Sequence, residues 1–265
     1  MDGATAARPA ARAQAPGPRG RPAGSASAAQ PATRAQAPRA HRAPAGPAAA
    51  GPERHPGWFI SFEGVEGAGK TTQLDVLRRE LEARGHEVVA TREPGGTAVG
   101  ERIRDILLDP VAADLDPRAE ALLFAAARAQ LVEQVIRPAL ERGAVVLCDR
   151  FLDSSLAYQG VARGLGRDQV ERVNRWATGG ILPRLVVLLD LDPAAGLART
   201  AGQRDRIEGQ ELDFHRAVAQ AFRALAAEQP ERFLVVDAAA PAEQVAEQVR
   251  LGVLARMEAS RVGLG

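Results

Sequence analysis

The chain predicts an α/β fold, a parallel sheet flanked by helices, on three observations. From Trp58 onward, short apolar runs alternate with longer segments of helical period, the order that lays helices over a parallel sheet. A glycine-rich string separates the first run from the first helical segment. No sequence pattern recurs at a fixed interval, which excludes a repeat array.

Five strands are expected: 58–63 "WFISFE", 86–91 "HEVVAT", 144–149 "AVVLCD", 185–190 "LVVLLD" and 233–236 "FLVV". Helices are expected near 69–84, 97–108, 116–142, 168–178, 193–201, 211–228 and 241–258. In the first helix Leu74, Leu77 and Leu81 recur three and four residues apart, so one stripe faces the sheet. Asp192 before Pro193 reads as the N-cap of the helix that follows the fourth strand, so it and Asp190 are left out of the site.

Residues 1–57 contain no Val, Ile, Leu, Phe, Tyr or Trp and hold ten of the eighteen prolines. Such a segment has little to bury against the entropy cost of ordering and is expected to be a disordered extension. Its eight arginines face only Asp2 and Glu53, about +6, and the other 208 residues carry about −5. A nucleic-acid or membrane tether and a transit peptide are the alternatives for this tail, and any nucleic-acid contact is expected to be confined to it. The folded domain is placed at 58–258, with a short C-terminal tail at 259–265. No run approaches the ~20 apolar residues that span a bilayer. Cys148 is the single cysteine, inside "AVVLC", and is expected as a buried reduced thiol in a cytoplasmic protein. His55, His86 and His215 are too scattered to share a metal.

"EGVEGAGKTTQ" (63–73) contains Lys70, the only lysine in the chain. Gly64-x-x-x-x-Gly69-Lys70-Thr71 fits a loop whose N–H groups cradle phosphates, with an ammonium reaching the outer phosphates of a nucleoside triphosphate. Thr71 would give its hydroxyl to Mg²⁺. Asp149 and Arg150 follow a strand at the carboxyl edge of the sheet, where such folds bind ligands. There the aspartate can hold Mg²⁺ and the arginine can grip a phosphate. The segment 198–210, "ARTAGQRDRIEGQ", packs Arg199, Arg204 and Arg206 around two glycines. It reads as a basic lid that brings cations to the transferring phosphate and excludes water.

"FEGVEGAGKTTQ", "TREPGGT" (91–97), "LLFAAARAQLVEQVIRPAL" (122–140) and "DRFLDSSLAYQGVARGLG" (149–166), in this order, resemble bacterial thymidylate kinase from about Trp58 to about residue 256. The resemblance implies a three-layer P-loop fold with a five-stranded parallel sheet and a basic lid, a homodimer, and transfer from ATP to dTMP with Mg²⁺. It implies that the loop Gly64, Val65, Glu66, Gly67, Ala68, Gly69, with Lys70, Thr71 and Thr72, holds ATP, Glu66 also positioning the acceptor sugar or metal. Arg92 and Glu93 would border the acceptor. Phe124 would stack on thymine, Arg128 would bond its carbonyl, Ser155 and Gln159 would face the base, and Tyr158 would lie under the sugar where a ribose 2′-OH projects. Arg150 would grip the acceptor phosphate. The phosphate loop lacks an arginine, so Arg199, Arg204 and Arg206 inherit that role. The alternatives are another nucleoside monophosphate or deoxynucleoside kinase, or a nucleotide-switched binding protein.

Overall fold

The computed structural model describes residues 55–112, 114–200 and 205–262. The expected extension up to residue 54, Arg204 in the lid, and residues 263–265 of the expected tail lie outside the described residues.

Five parallel strands, β1 (Trp58–Glu63), β2 (Val88–Arg92), β3 (Val145–Asp149), β4 (Leu185–Asp190) and β5 (Phe233–Asp237), form one sheet in the order β2-β3-β1-β4-β5. β1, β3 and β4 are buried along nearly their whole length, as a sheet covered on both faces requires. Helices α1 (Lys70–Ala83), α2 (Ala98–Leu108), α3 (Pro117–Leu131), α4 (Arg137–Glu141), α5 (Leu152–Ser155), α6 (Arg167–Thr178), α7 (Pro193–Arg199), α8 (Leu212–Glu228) and α9 (Ala242–Val262) complete the described residues. Leu74, Leu77 and Leu81 of α1 are buried as the period predicts. Asp192 caps α7, accepting from the N–H groups of Ala194 and Ala195.

Four expectations are corrected. β2 begins at Val88 because the His86 N–H is spent on the Leu81 carbonyl where α1 ends, two residues into the predicted strand. The predicted helix 116–142 is interrupted by a π-helical segment, Val132–Ile136. Pro138 follows, and since its ring nitrogen has no proton to donate, the widened turn absorbs the missing helical bond. The domain begins before Trp58: Gly57 N–H donates to Leu140 O at 3.1 Å, and a Cβ there would stand 2.4 Å from Ala144 O. Its far end is helical through Val262 rather than stopping at 258.

The sequence reading also missed a helix, α5 with its π-helical continuation Leu156–Ala162. Residues 151–160 are all buried. With no solvated face there is no polar stripe to reveal a period, and Ser154, Ser155 and Gly160 favour other conformations.

Register decides where the chemistry collects. Arg92 and Phe62 both stand level with Asp149, so Glu63, Arg92 and Asp149 end three adjacent strands at one carboxyl edge.

Candidate active site

The loop after β1 is built for close approach. Gly67 has φ 68°, and a Cβ on it would lie 2.1 Å from the Gly196 carbonyl oxygen of α7. Only glycine fits there. Gly69, also left-handed at φ 88°, turns the chain into α1, whose first residue is Lys70. The ammonium folds back over the loop and donates to Val65 O at 3.0 Å and Gly64 O at 3.3 Å. Burial lowers the Lys70 pKa, the charge of Arg150 adds to this, and Glu66 and Asp149 oppose it.

Thr71 Oγ1 donates to Asp149 Oδ2 at 2.6 Å. The structure therefore brings both proposed metal ligands together, as a hydroxyl and a carboxylate. That hard oxygen set suits Mg²⁺ completed by phosphate oxygens and water. Among the described residues no cluster of three or more His, Cys, Asp or Glu could hold a metal by itself.

Arg150 is the one described non-glycine residue with a left-handed backbone, at φ 69°, a conformation that costs about 1–2 kcal/mol. Its N–H is held by Phe62 O, and its carbonyl accepts the Cys148 thiol at 3.0 Å. The turn throws the guanidinium back over the phosphate loop. There it reaches Gly64 O (3.0 Å), Ser154 Oγ (3.1 Å) and Glu66 Oε1 (2.7 Å), and it stacks 5.1 Å from the Tyr158 ring centre. Tyr158 also donates to Glu66 Oε1 at 2.9 Å. Burial alone would raise Glu66, but Arg150 and Lys70 outweigh it and hold the carboxyl at about 2.

Glu63, which sequence reasoning passed over, anchors this turn from below. It accepts the Phe151 N–H at 2.8 Å and the Ser154 hydroxyl at 2.6 Å. Burial, with Asp153 adding, pushes its carboxyl up to about 7 against those bonds. A folded pKa above the ordinary 4.5 means that stability from this group is present below about pH 4.5 and is lost as pH rises through 7. The thermal midpoint of Glu63→Gln, compared with the parent, is therefore expected to improve by several degrees between pH 5 and pH 8. A constant difference across that range would refute it.

A second cleft opens on the other side of Arg150, lined among others by Phe124, Arg128, Ser155, Tyr158 and Gln159. Phe124 is half-buried and presents its ring to it. Arg128 differs from expectation. It is 1 % exposed, and its nitrogens donate to Glu93 Oε2, Ser155 Oγ, Asn174 Oδ1 and Phe151 O. With Nη2 also 2.5 Å from Glu93 Oε2, all five N–H groups have protein partners. Arg128 thus builds the cleft wall, and a base carbonyl could bond it only by sharing a proton already engaged. The other Glu93 oxygen, Oε1, is buried without a hydrogen-bond partner.

The lid arginines separate. Arg199, in the last turn of α7, lines the donor cleft and donates to Ala238 O at 3.1 Å. Arg206 is not among the residues lining either cleft: it is buried, paired with Glu120 Oε2 at 2.7 Å and bonded to Leu107 O at 2.9 Å. A buried carboxylate captures it, as an unpaired charge there would be costly. Arg92 is half-exposed at the mouth of the donor cleft, paired with Glu101 at 2.9 Å.

The donor cleft is lined by Gly67, Gly69, Lys70, Thr71, Thr72 and Asp149, and it meets the second cleft at four side chains that line both: Glu66, Glu93, Arg104 and Arg150. Arg104 of α2 was not read from the sequence, where it is one charge among several on a helix. Its guanidinium donates to Pro94 O at 3.0 Å. Two clefts sharing a wall of two arginines and two carboxylates suit transfer of an anionic group between two bound molecules. The family model for thymidylate kinase matches residues 62–249. The chain belongs to the thymidylate kinase family.

The thymidylate kinase of Deinococcus radiodurans is 54 % identical over 202 residues, covering 76 % of this chain and 98 % of the relative. That of Desulfovibrio desulfuricans is 51 % identical over 216 residues (78 % and 99 %), and that of Clavibacter sepedonicus 55 % over 197 (73 % and 93 %). The five-stranded parallel sheet is the α/β architecture expected of this family. The family match begins at Phe62, so residues 1–54 lie outside it.

Proposed function

We propose that the chain transfers the γ-phosphoryl group of ATP to dTMP, giving ADP and dTDP for dTTP synthesis in the cytoplasm. The observation that carries this reading is the shared wall of Glu66, Glu93, Arg104 and Arg150 between a glycine-loop cleft and an aromatic-lined cleft. A phosphate oxygen of dTMP attacks the γ-phosphorus in line, the bond to the bridging β–γ oxygen breaks, and ADP leaves with the charge. Lys70 follows that charge from the loop. Arg150 and Arg104 hold the acceptor phosphate at the junction. Thr71 and Asp149 would hold Mg²⁺, which when bound neutralises charge on the β and γ oxygens. Glu66, kept ionised by Arg150 and Lys70, fixes Arg150 and Tyr158 rather than moving a proton.

Phe124 offers the base a stacking face, and Tyr158, sealed beneath Arg150, closes the space beside the sugar. Ribose should therefore fit worse than deoxyribose. The test is kcat/KM for dTMP, dUMP, dCMP and UMP with ATP and Mg²⁺. The expected order is dTMP, then dUMP, then UMP, with dCMP well below dTMP because neutral cytosine lacks the ring N–H of thymine. Equal use of dCMP and dTMP would overturn the acceptor assignment.

A homodimer accompanies this reading. α2 packs on α3 and α3 on α6, and these helices expose Val99, Ile106, Leu122 and, at 79 %, Trp176, apolar surface of the kind a second copy would cover.

A further inference from the structure

We infer that Glu120 is a positioning residue that sets which end of the Gln159 amide faces the acceptor base. The inference rests on the functional reading above and deepens it. Glu120, Phe124 and Arg128 are spaced four residues apart on α3, so they share one face of the helix. The latter two line the acceptor cleft. Glu120 stands one turn earlier, 1 % exposed. Its Oε1 accepts Gln159 Nε2 at 2.8 Å, and its Oε2 meets Arg163 Nη2 at 3.2 Å and Arg206 Nη1 at 2.7 Å.

An ionised carboxylate only accepts hydrogen bonds, so the end of Gln159 that faces it must be the NH₂ group. That leaves the carbonyl oxygen of Gln159 as the end available to the cleft it lines. A carbonyl there welcomes a ring N–H, which a thymine or uracil imide has and neutral cytosine lacks. The discrimination is thus set two bonds away from the substrate, by the charge of a residue that does not touch it. Arg163 and Arg206 place two guanidiniums against this one buried carboxylate, so its charge is paired inside the protein. Arg206, which the sequence reading assigned to the triphosphate, contributes here instead.

Replacing Glu120 by Gln puts an amide beside an amide, and either end of Gln159 can then face the base. The experiment compares parent, Glu120→Gln and the double variant Glu120→Gln/Arg206→Met, which removes a carboxylate together with one of its two guanidiniums and so keeps the local charge balance. The measurements are kcat and KM for dTMP and dCMP, and KM for ATP. Both variants are expected to raise KM for dTMP and to shrink the dTMP-over-dCMP preference by about tenfold or more, the loss of one well-placed hydrogen bond. KM for ATP should stay within about twofold, because none of these groups lines the donor cleft. Equal losses for dTMP and dCMP, or parallel rises in both KM values, would mean that Glu120 only supports the fold, and would overturn the inference. A parent that does not phosphorylate dTMP would overturn the functional reading and this inference together, whereas an active parent with an unchanged base preference in the variants would overturn this inference alone.

Discussion

Lys70→Arg is expected to lower kcat for dTMP phosphorylation by about 10²–10³-fold, the usual cost of one charge-stabilising donor aimed at a transition state, while leaving the unfolding midpoint close to that of the parent. The Lys70 ammonium bonds two carbonyls of a loop whose Gly67 is pressed against α7. It is a point charge with three donors, able to swing from those carbonyls to phosphate oxygens without displacing backbone. A guanidinium is planar and wider, and Arg150 already occupies the Gly64 carbonyl from the other side. The two like charges would then be forced closer together. In a chain that otherwise draws all its side-chain basic charge from arginine, this is the position where the exchange fails. Transfer within a few-fold of the parent would remove the role assigned to the ammonium.

The second large effect is on stability. Arg128→Ala is expected to cost about 3–5 kcal/mol, because it removes one partner of a buried ion pair and leaves the other, which corresponds to a fall in midpoint on the order of 10 °C for a domain of this size. Arg128, on α3, ties together the residue after β2 (Glu93), the start and end of α5 (Phe151, Ser155) and α6 (Asn174). Burial already raises Glu93 to about 7, with Arg128 pulling the other way. Without that guanidinium the carboxyl is driven to take up a proton. The double variant Glu93→Gln/Arg128→Ala leaves no charge stranded and is expected to recover part of the loss. Thermal and denaturant unfolding of the three proteins is the check. A single variant as stable as the parent would show that Arg128 is not the strut described.

Much of the molecule can be read from residue order alone, and particular elements show why. The phosphate loop is local: Gly64 through Thr72 lie within one turn and one helix start, so spacing alone assigns their chemistry. β1, β3 and β4 are short buried runs, and their apolar character is a property of the strand itself. Asp192 caps a helix that begins at the very next residue. Phe124 and Arg128 share a helical face because four residues make one turn.

The misses have equally physical causes. α5 and its π-helical continuation hide because all of their first residues are buried, and a segment without a wet side shows no period. Arg128 and Arg206 were given ligand roles on charge and motif, yet an arginine binds whichever acceptor is nearest in space. For Arg128 those acceptors come from positions 93, 151, 155 and 174, and for Arg206 from 107 and 120. Glu63 opens the quoted loop string but stands before its glycine spacing, and Arg104, Glu120 and Asn174 carry no motif, although Glu120 lies on the same i, i+4 stripe as Phe124 and Arg128 and could have been found there.

By itself, then, the sequence determined the fold class, the phosphate loop and its lysine, and the family, because each is written in contiguous residues under local rules. Only the tertiary structure decided which charged side chains line the two clefts and which are spent on protein partners. That choice depends on distances across strands and helices up to 99 residues apart in the chain, as between Arg206 and Leu107, and a buried charge goes to the partner that packing places beside it.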